Sequence, residues 1–385
     1  MNTTQHTARP PLERANTFFF ALTNALALTI VPAWGWAVGY STLAWVAAVV
    51  LLALGGMSIT IGYHRMWAHR AFKARLPVRI VLAVFGAMAL QNSILVWAAR
   101  HRIHHRHVDD VERDPHSIRS GFWHAHIGWM LRAWPTSRVD FDQVPDLKRD
   151  PVVMWQHRHY WLLVWATNLG IPVALGLLTG ELVGMVLLAG VLRLVVSHHF
   201  TFAINSLAHS WGWRPYSEAN TAVDNPLVAL VTWGEGYHNF HHAFQNDYRN
   251  GIRWWHWDPT KWVINLLAWV GLVHDRRRVP DFRIQRARLM VEFARLERRL
   301  EGAPGSESWR EQIEREYQLF RETVSQWQAI QRERMERGAE RMRARWRSIQ
   351  WRTSMREVEF RLRMQRKRLR ALMASLRTQP AGASC

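Results

Sequence analysis

A single cysteine, the terminal Cys385, serves 385 residues. Disulfides and thiolate metal sites within one chain are thereby excluded. A transition metal would have to be held by histidine and carboxylate. Acidic residues are scarce too: 30 against 50 Lys and Arg, a net charge of +20. That balance implies an anionic partner, whether lipid head groups, an acidic protein or nucleic acid. Long apolar runs are missing from 281–385 and crowd into the preceding residues. The slightly polar mean hydropathy of −0.19 therefore averages two unlike halves. The first 15 residues are polar and the next apolar run leads straight into another, so no signal peptide is read.

What is present begins with four apolar segments, about 17–38, 41–62, 161–179 and 182–204. Each approaches the roughly 20 residues that a membrane-crossing helix needs. A fifth stretch, 78–96, is interrupted by Gln91, Asn92 and Ser93 and reads as a buried or interfacial helix. The links at 39–40 and 180–181 carry no Lys or Arg, whereas Tyr63–Tyr160 carries 15. The positive-inside rule puts that long region, and both termini, in the cytoplasm. The expected fold is an all-α integral membrane protein: two hairpins of transmembrane helices under a cytosolic helical cap.

Twenty histidines are the other surplus. Three clusters stand out: His64 with His69; His101, His104 and His105; and His238, His241 and His242. The last two are His-x-x-His-His runs. Positions i, i+3 and i+4 share one face of a helix, so each run is expected to aim its imidazoles at a common point. The i, i+5 spacing of His64 and His69 suits one helical face poorly, so the helix is expected to end or bend there. Eight clustered imidazoles exceed what one ion can use, which favours a two-metal site. Histidine-only ligation with open positions points to oxygen-activating iron over closed structural zinc. His6, His157, His159, His198, His199, His256 and His274 are read as ordinary packing or surface residues.

The text around these clusters resembles the membrane fatty acid desaturase family, in its acyl-CoA Δ9 (stearoyl-CoA desaturase-like) branch of bacterial type. The resemblance covers roughly residues 15–280. It rests on Gly62-Tyr-His-Arg-Met-Trp-Ala-His-Arg70, His101-Arg-Ile-His-His-Arg-His107, Arg113-Asp-Pro-His116, Gly121-Phe-Trp-His-Ala-His-Ile-Gly-Trp129, Asn205-Ser-Leu-Ala-His209 and Gly234-Glu-Gly-Tyr-His-Asn-Phe-His-His242. It implies a ninth ligand, His209, and Asn205 holding a metal-bound water. It implies two irons, O2 as co-substrate, and two electrons from a separate ferredoxin- or flavin-reductase-type donor. The implied product is a cis double bond, and the implied setting a bacterial cytoplasmic membrane. Gln91, Asn92, Trp97, Thr201 and Phe202 match family positions along the acyl channel. The run Trp97-Ala-Ala-Arg100 departs from the Trp-Ala-Arg-Asp of animal acyl-CoA enzymes, so acyl-CoA and acyl-lipid both remain as substrates. A di-iron membrane hydroxylase and a non-catalytic metal-binding protein are the competing functions.

Residues 281–385 hold 25 Lys and Arg against 14 acidic residues. Residues 281–305 read as a linker, with a hinge at Gly302–Gly305. Residues 306–377 read as a basic amphipathic, coiled-coil-like helix, and 378–385 as a disordered end. Ile313, Tyr317, Phe320, Val324 and Trp327 keep a 4-3-4-3 spacing, which Met342, Trp346 and Ile349 resume. Self-association, docking of an acidic donor and contact with membrane lipid are the expected uses. Interleaved acidic residues argue against nucleic acid.

Overall fold

The structure is a computed structural model that describes residues 10–301, 307–336 and 345–378. The chain divides into two compact units, one of residues 1–214 and 219–278, the other of 215–218 and 279–385.

The first unit is helical and carries four helices long and apolar enough to cross a membrane. They are α1 (Arg14–Ala37), α2 (Thr42–Ala68), α5 (Tyr160–Thr179) and α6 (Leu182–His209). Two tight turns make them hairpins. Gly39 and Gly180 hold positive φ values of 85° and 74°, a conformation that a side chain would strain. Ser41 caps α2 by accepting from the Ala44 N–H at 3.1 Å. Leu28, Trp36, Val49, Leu177 and Leu178 stand exposed on these helices, the side chains a bilayer would cover. With Leu51, Met88, Met185 and Leu188 buried between them, the hairpins share one core.

Between the hairpins lie α3 (Leu76–Ala87) and α4 (Ile94–His107). The expected single helix over 78–96 is two. Leu90 and Asn92 adopt positive φ, and the chain turns before Ser93 starts α4. At 12 residues, α3 is too short to cross. The end of α2 is a finer point. Its last turns, Ile59–Ala68, are π-helical, and the helix then ends, with His69 as its C-cap. Further on, α7 (His238–Ala243) is a short buried helix.

The second unit corrects the expected linker. Asp281–Leu300 is a helix, α8, followed by α9 (Glu307–Glu336) and α10 (Arg345–Thr378). Phe282, Leu289, Phe293, Leu296 and Leu300 form a helical stripe that the dense arginines obscured in the sequence. It packs with Ile313, Phe320, Met355, Val358, Leu362 and Leu369. Phe282 stacks on Trp327 at 4.1 Å, while Phe293 meets Tyr317 at 5.2 Å, so α8 and α9 are antiparallel. Arg361 reaches Gln326 and Arg368 reaches Glu316, which makes α9 and α10 antiparallel as well. The stripe Ile313–Trp327 is thus covered within the chain. Met342, the 302–305 hinge and 379–385 lie outside the described residues, and so do the side chains of Trp346 and Ile349.

Candidate metal centre

The predicted histidines arrive on four elements: the end of α2, α4, the end of α6 and α7. The π-turn carries the first pair. Its wider turn lets the His69 N–H bond the His64 carbonyl at 3.0 Å, an i to i−5 link. Five residues then make about one turn, and the two rings stand 4.8 Å apart. This is how an i, i+5 pair comes to share a face at the point where the helix ends, His69 being its C-cap.

The nine histidines His64, His69, His101, His104, His105, His209, His238, His241 and His242 assemble in two groups. His64, His69, His101, His105 and His241 form one; His104, His209, His238 and His242 form the other. Within each group one nitrogen per ring lies within 4.8 Å of all the rest. Neither His-x-x-His-His run aims at a single point. On α4 the i, i+4 pair His101 and His105 joins the first group and His104 the second. On α7 the pair His238 and His242 joins the second group and His241 the first. The reason is angular. At about 100° per residue, i+4 lies about 40° to one side of i and i+3 about 60° to the other. Two such helices, facing each other, straddle two centres, each giving a pair to one and a single ring to the other. His105 and His242 stack at 4.3 Å where the groups meet.

Carboxylates stand behind the imidazoles. His104 Nδ1 lies 2.9 Å from Asp114, and His64 Nδ1 lies 2.8 Å from Glu235 Oε2. The Thr221 hydroxyl donates to Asp109 at 2.6 Å, so its oxygen accepts from His209 Nδ1–H at 2.8 Å. The hydrogen bonds to Asp114 and Thr221 fix the tautomers of His104 and His209 and leave their Nε2 bare. Across the site, Nε2 atoms face one another: His64 and His241 at 3.0 Å, His104 and His242 at 3.3 Å, His209 and His238 at 3.1 Å. An inward ring N–H or a cation can satisfy any one such pair, but a metal ion satisfies several converging ring nitrogens at once. The donor set therefore fits metal ions, and the histidine clusters are able to bind them.

Protonation points the same way. Burial, then the nearby imidazoles, pushes His69, His101, His105, His241 and His242 well below the ordinary imidazole value. Burial brings His238 down to about 3. Neutral imidazole is the form a metal takes. Burial alone would raise Asp114 and Glu235, but His104 for the one, and His64 and Arg65 for the other, outweigh it and hold both at about 2.

Sequence reading missed Glu235 and Asp114. Each was the acidic residue inside a quoted run, which is the signal available. His116 was missed as well, and forms a further potential cluster with His104 and Asp114. Arg65 was missed too. It is buried between Glu235, at 2.9 Å, and Asp258, at 3.1 Å. The histidines set aside stay outside both groups. His157 bonds Ser93, His159 the Trp155 carbonyl and His198 the Ala89 carbonyl. His6 lies outside the described residues.

The expected channel residues form a row. The Trp97 indole N–H donates to Gln91 Oε1 at 3.2 Å, and Gln91 Nε2 donates to Thr201 Oγ1 at 2.8 Å. Trp97 also stacks on the His101 ring at 4.9 Å. The Asn92 N–H donates to Tyr160. Phe202 is buried on the same helix as Thr201 and packs against Phe20 and His198. Asn205 lies half-buried on α6, four residues before His209. A narrow slot lined by Gly56, Thr60, Ser197, Thr201 and Trp233 runs beside this row.

A helical unit with four membrane-length helices and paired histidine groups defines a class: multi-pass membrane proteins with all-imidazole metal sites. Residues 40–275 match the fatty acid desaturase family, and the chain belongs to it. It is 45% identical over 240 residues to a probable acyl-CoA desaturase of Schizosaccharomyces pombe, covering 62% of this chain and 50% of that one. It is 41% identical over 254 residues to acyl-CoA desaturase 1 of Saccharomyces cerevisiae, covering 66% and 49%. With stearoyl-CoA desaturase 5 of Bos taurus it shares 38% over 249 residues, covering 63% and 73%. The aligned part of this chain thus spans about half the length of the two yeast relatives.

Proposed function

We infer that the protein is an O2-dependent fatty acyl desaturase that removes two hydrogens from adjacent methylenes of a saturated acyl chain. The reaction consumes O2, two electrons and two protons and releases two waters and a cis double bond, placed here at Δ9. The reading rests on the nine-imidazole pair of groups lying beside the Trp97–Gln91–Thr201 row. Unactivated C–H bonds resist every side chain, and two irons in these groups would supply the oxidising power. His64, His69, His101, His105 and His241 would hold one. His104, His209, His238 and His242 would hold the other, with Asn205 adding a donor through water to the poorer group. That five-and-four split supports the role of Asn205.

Trp97, Gln91 and Thr201 would position the acyl chain, with Asn92 and Phe202 beside them; of the five, Thr201 also lines the neighbouring slot, whose walls include Leu52, Ile59, Ile204 and Val231. The substrate is an acyl-CoA or an acyl-lipid. The names of the relatives favour the first. Electrons come from a separate ferredoxin- or flavin-reductase-type donor. The 15 Lys and Arg of Tyr63–Tyr160 support a cytoplasmic face for the metal site and both termini. The bacterial setting rests on the sequence resemblance alone.

The test is expression in a host lacking its own desaturase, with mass spectrometry of the fatty acids. A new double bond is expected. A new hydroxyl instead would make the protein a hydroxylase. His104→Ala or His241→Ala should abolish the product while membrane insertion persists, and full activity in either would sink the metal assignment.

A further inference from the structure

The second unit takes no part in the metal centre, yet its last helix is unusual. Arg345–Thr378 holds eleven Lys and Arg against two acidic residues, Glu357 and Glu359. The neighbouring α9 has the opposite balance, seven acidic residues against five arginines. Charge is therefore sorted within the bundle rather than spread over it.

Helix α10 has two faces with apolar content. Met355, Val358, Leu362 and Leu369 are buried in the bundle core. The opposite face carries Arg356, Phe360, Arg363, Met364 and Lys367, brought together by the 3.6-residue period. Phe360 is 60% exposed and Met364 36% exposed, one turn apart. Arg363 is exposed and pairs with the half-buried Glu359 at 3.5 Å, a weak surface pair. A helix that already buries one stripe has no packing reason to hold a second aromatic and a methionine in water.

Large apolar side chains flanked by cations match a lipid interface, where rings enter the head-group region and cations meet phosphates. A protein partner would need a broad complementary surface to hold so small an apolar turn. Lipid needs none, and this chain brings a bilayer with it through α1, α2, α5 and α6. We propose that the face of α10 formed by Arg356, Phe360, Arg363, Met364 and Lys367 docks on an anionic lipid leaflet. Phe360 and Met364 enter the head-group layer, and the three cations pair with lipid phosphates.

The single native thiol makes the test clean. In full-length protein carrying Cys385→Ser, Met364→Cys takes a spin label, and the protein is reconstituted into vesicles. One set is phosphatidylcholine; the other is phosphatidylcholine doped with phosphatidylglycerol. Paramagnetic relaxation by oxygen, which partitions into lipid, is compared with relaxation by a water-soluble nickel chelate. In anionic vesicles oxygen should dominate. The nickel chelate should dominate in neutral vesicles, in high salt, and after Arg356→Gln, Arg363→Gln and Lys367→Gln together. That neutral triple variant changes only exposed positions, and an unchanged helical circular dichroism spectrum confirms its fold. Equal behaviour in both vesicle types overturns the proposal. So does shielding from both reagents, which would show that a second copy or an acidic protein covers the face.

Discussion

Glu235 and Asp114 each stand behind one imidazole of a different group, so the two centres are tuned separately. Glu235 also takes Arg65 and, at 2.7 Å, the Asn250 amide, and so is held from three sides. Asp114 is held likewise, accepting from the Asp109 and His116 backbone N–H groups at 3.2 Å besides His104. Asp114→Asn should therefore weaken only the second group. Loss of such a partner costs roughly 10–100-fold in metal affinity. Elemental analysis should show iron falling from two per chain toward one, and Asp114→Glu should recover part of it. Two full equivalents in the asparagine variant would remove Asp114 from the site. Arg65 is a buried charge between two carboxylates. Truncating one member of such a cluster costs about 3–5 kcal/mol, so Arg65→Ala should lower the protein yield and melting temperature, not merely the activity.

At the scale of elements, the π-turn of α2 determines the first group. Inserting one alanine after Ala68 turns the i, i+5 pair into i, i+6, a spacing that neither an α-turn nor the wider turn aligns. The ring that follows would then leave the centre. Iron bound by the first group should be lost while His104, His209, His238 and His242 keep theirs, a result readable by metal quantitation on detergent-purified protein. Retention of two irons would mean that the widened turn is incidental. The sequence carried part of this: the odd spacing was visible, and its misfit to an α-helix was right. What it lacked was the i to i−5 bond, because nothing in Ile59–Ala68 marks the turns before the helix end as widened. The division of the two His-x-x-His-His runs was hidden for a related reason. Spacing along one helix says which rings share a face, but only the facing helix says where two centres lie.

For the whole molecule, the boundary between the units moves the meaningful truncation. A cut near residue 302 would leave α8 without α9 and α10, exposing Leu289, Phe293 and Leu296, all buried in the bundle. Such a chain should aggregate, since large apolar patches rarely survive exposed. A cut after Arg278 follows the boundary between the units; within the second unit, Tyr216 and Glu218 lose Arg288, Arg295 and Arg298. It should retain desaturation in the complementation assay. Aggregation of the longer fragment but not the shorter, seen by size-exclusion chromatography, would confirm the boundary; the reverse would refute it. Within the bundle, Phe293→Ala should cost about 3–5 kcal/mol of unit stability. The apolar stripe of α9 was legible from its 4-3-4-3 spacing. Its partner was not, because a stripe states that a face must be covered and leaves open whether another chain or the same one covers it.

By itself, the sequence determined the chemistry and the medium. One terminal cysteine leaves histidine and carboxylate as the available donors, clustered imidazoles exceed what one ion can use, and four long apolar runs suit lipid. Those conclusions follow from residue type and short-range spacing, which folding cannot alter. The tertiary structure alone decided the five-and-four division of the histidines and the carboxylates behind His64 and His104. It also decided the use of the C-terminal stripe inside a three-helix bundle. Each of these depends on elements distant in the chain meeting in space, and the period of a single helix holds no record of its neighbour.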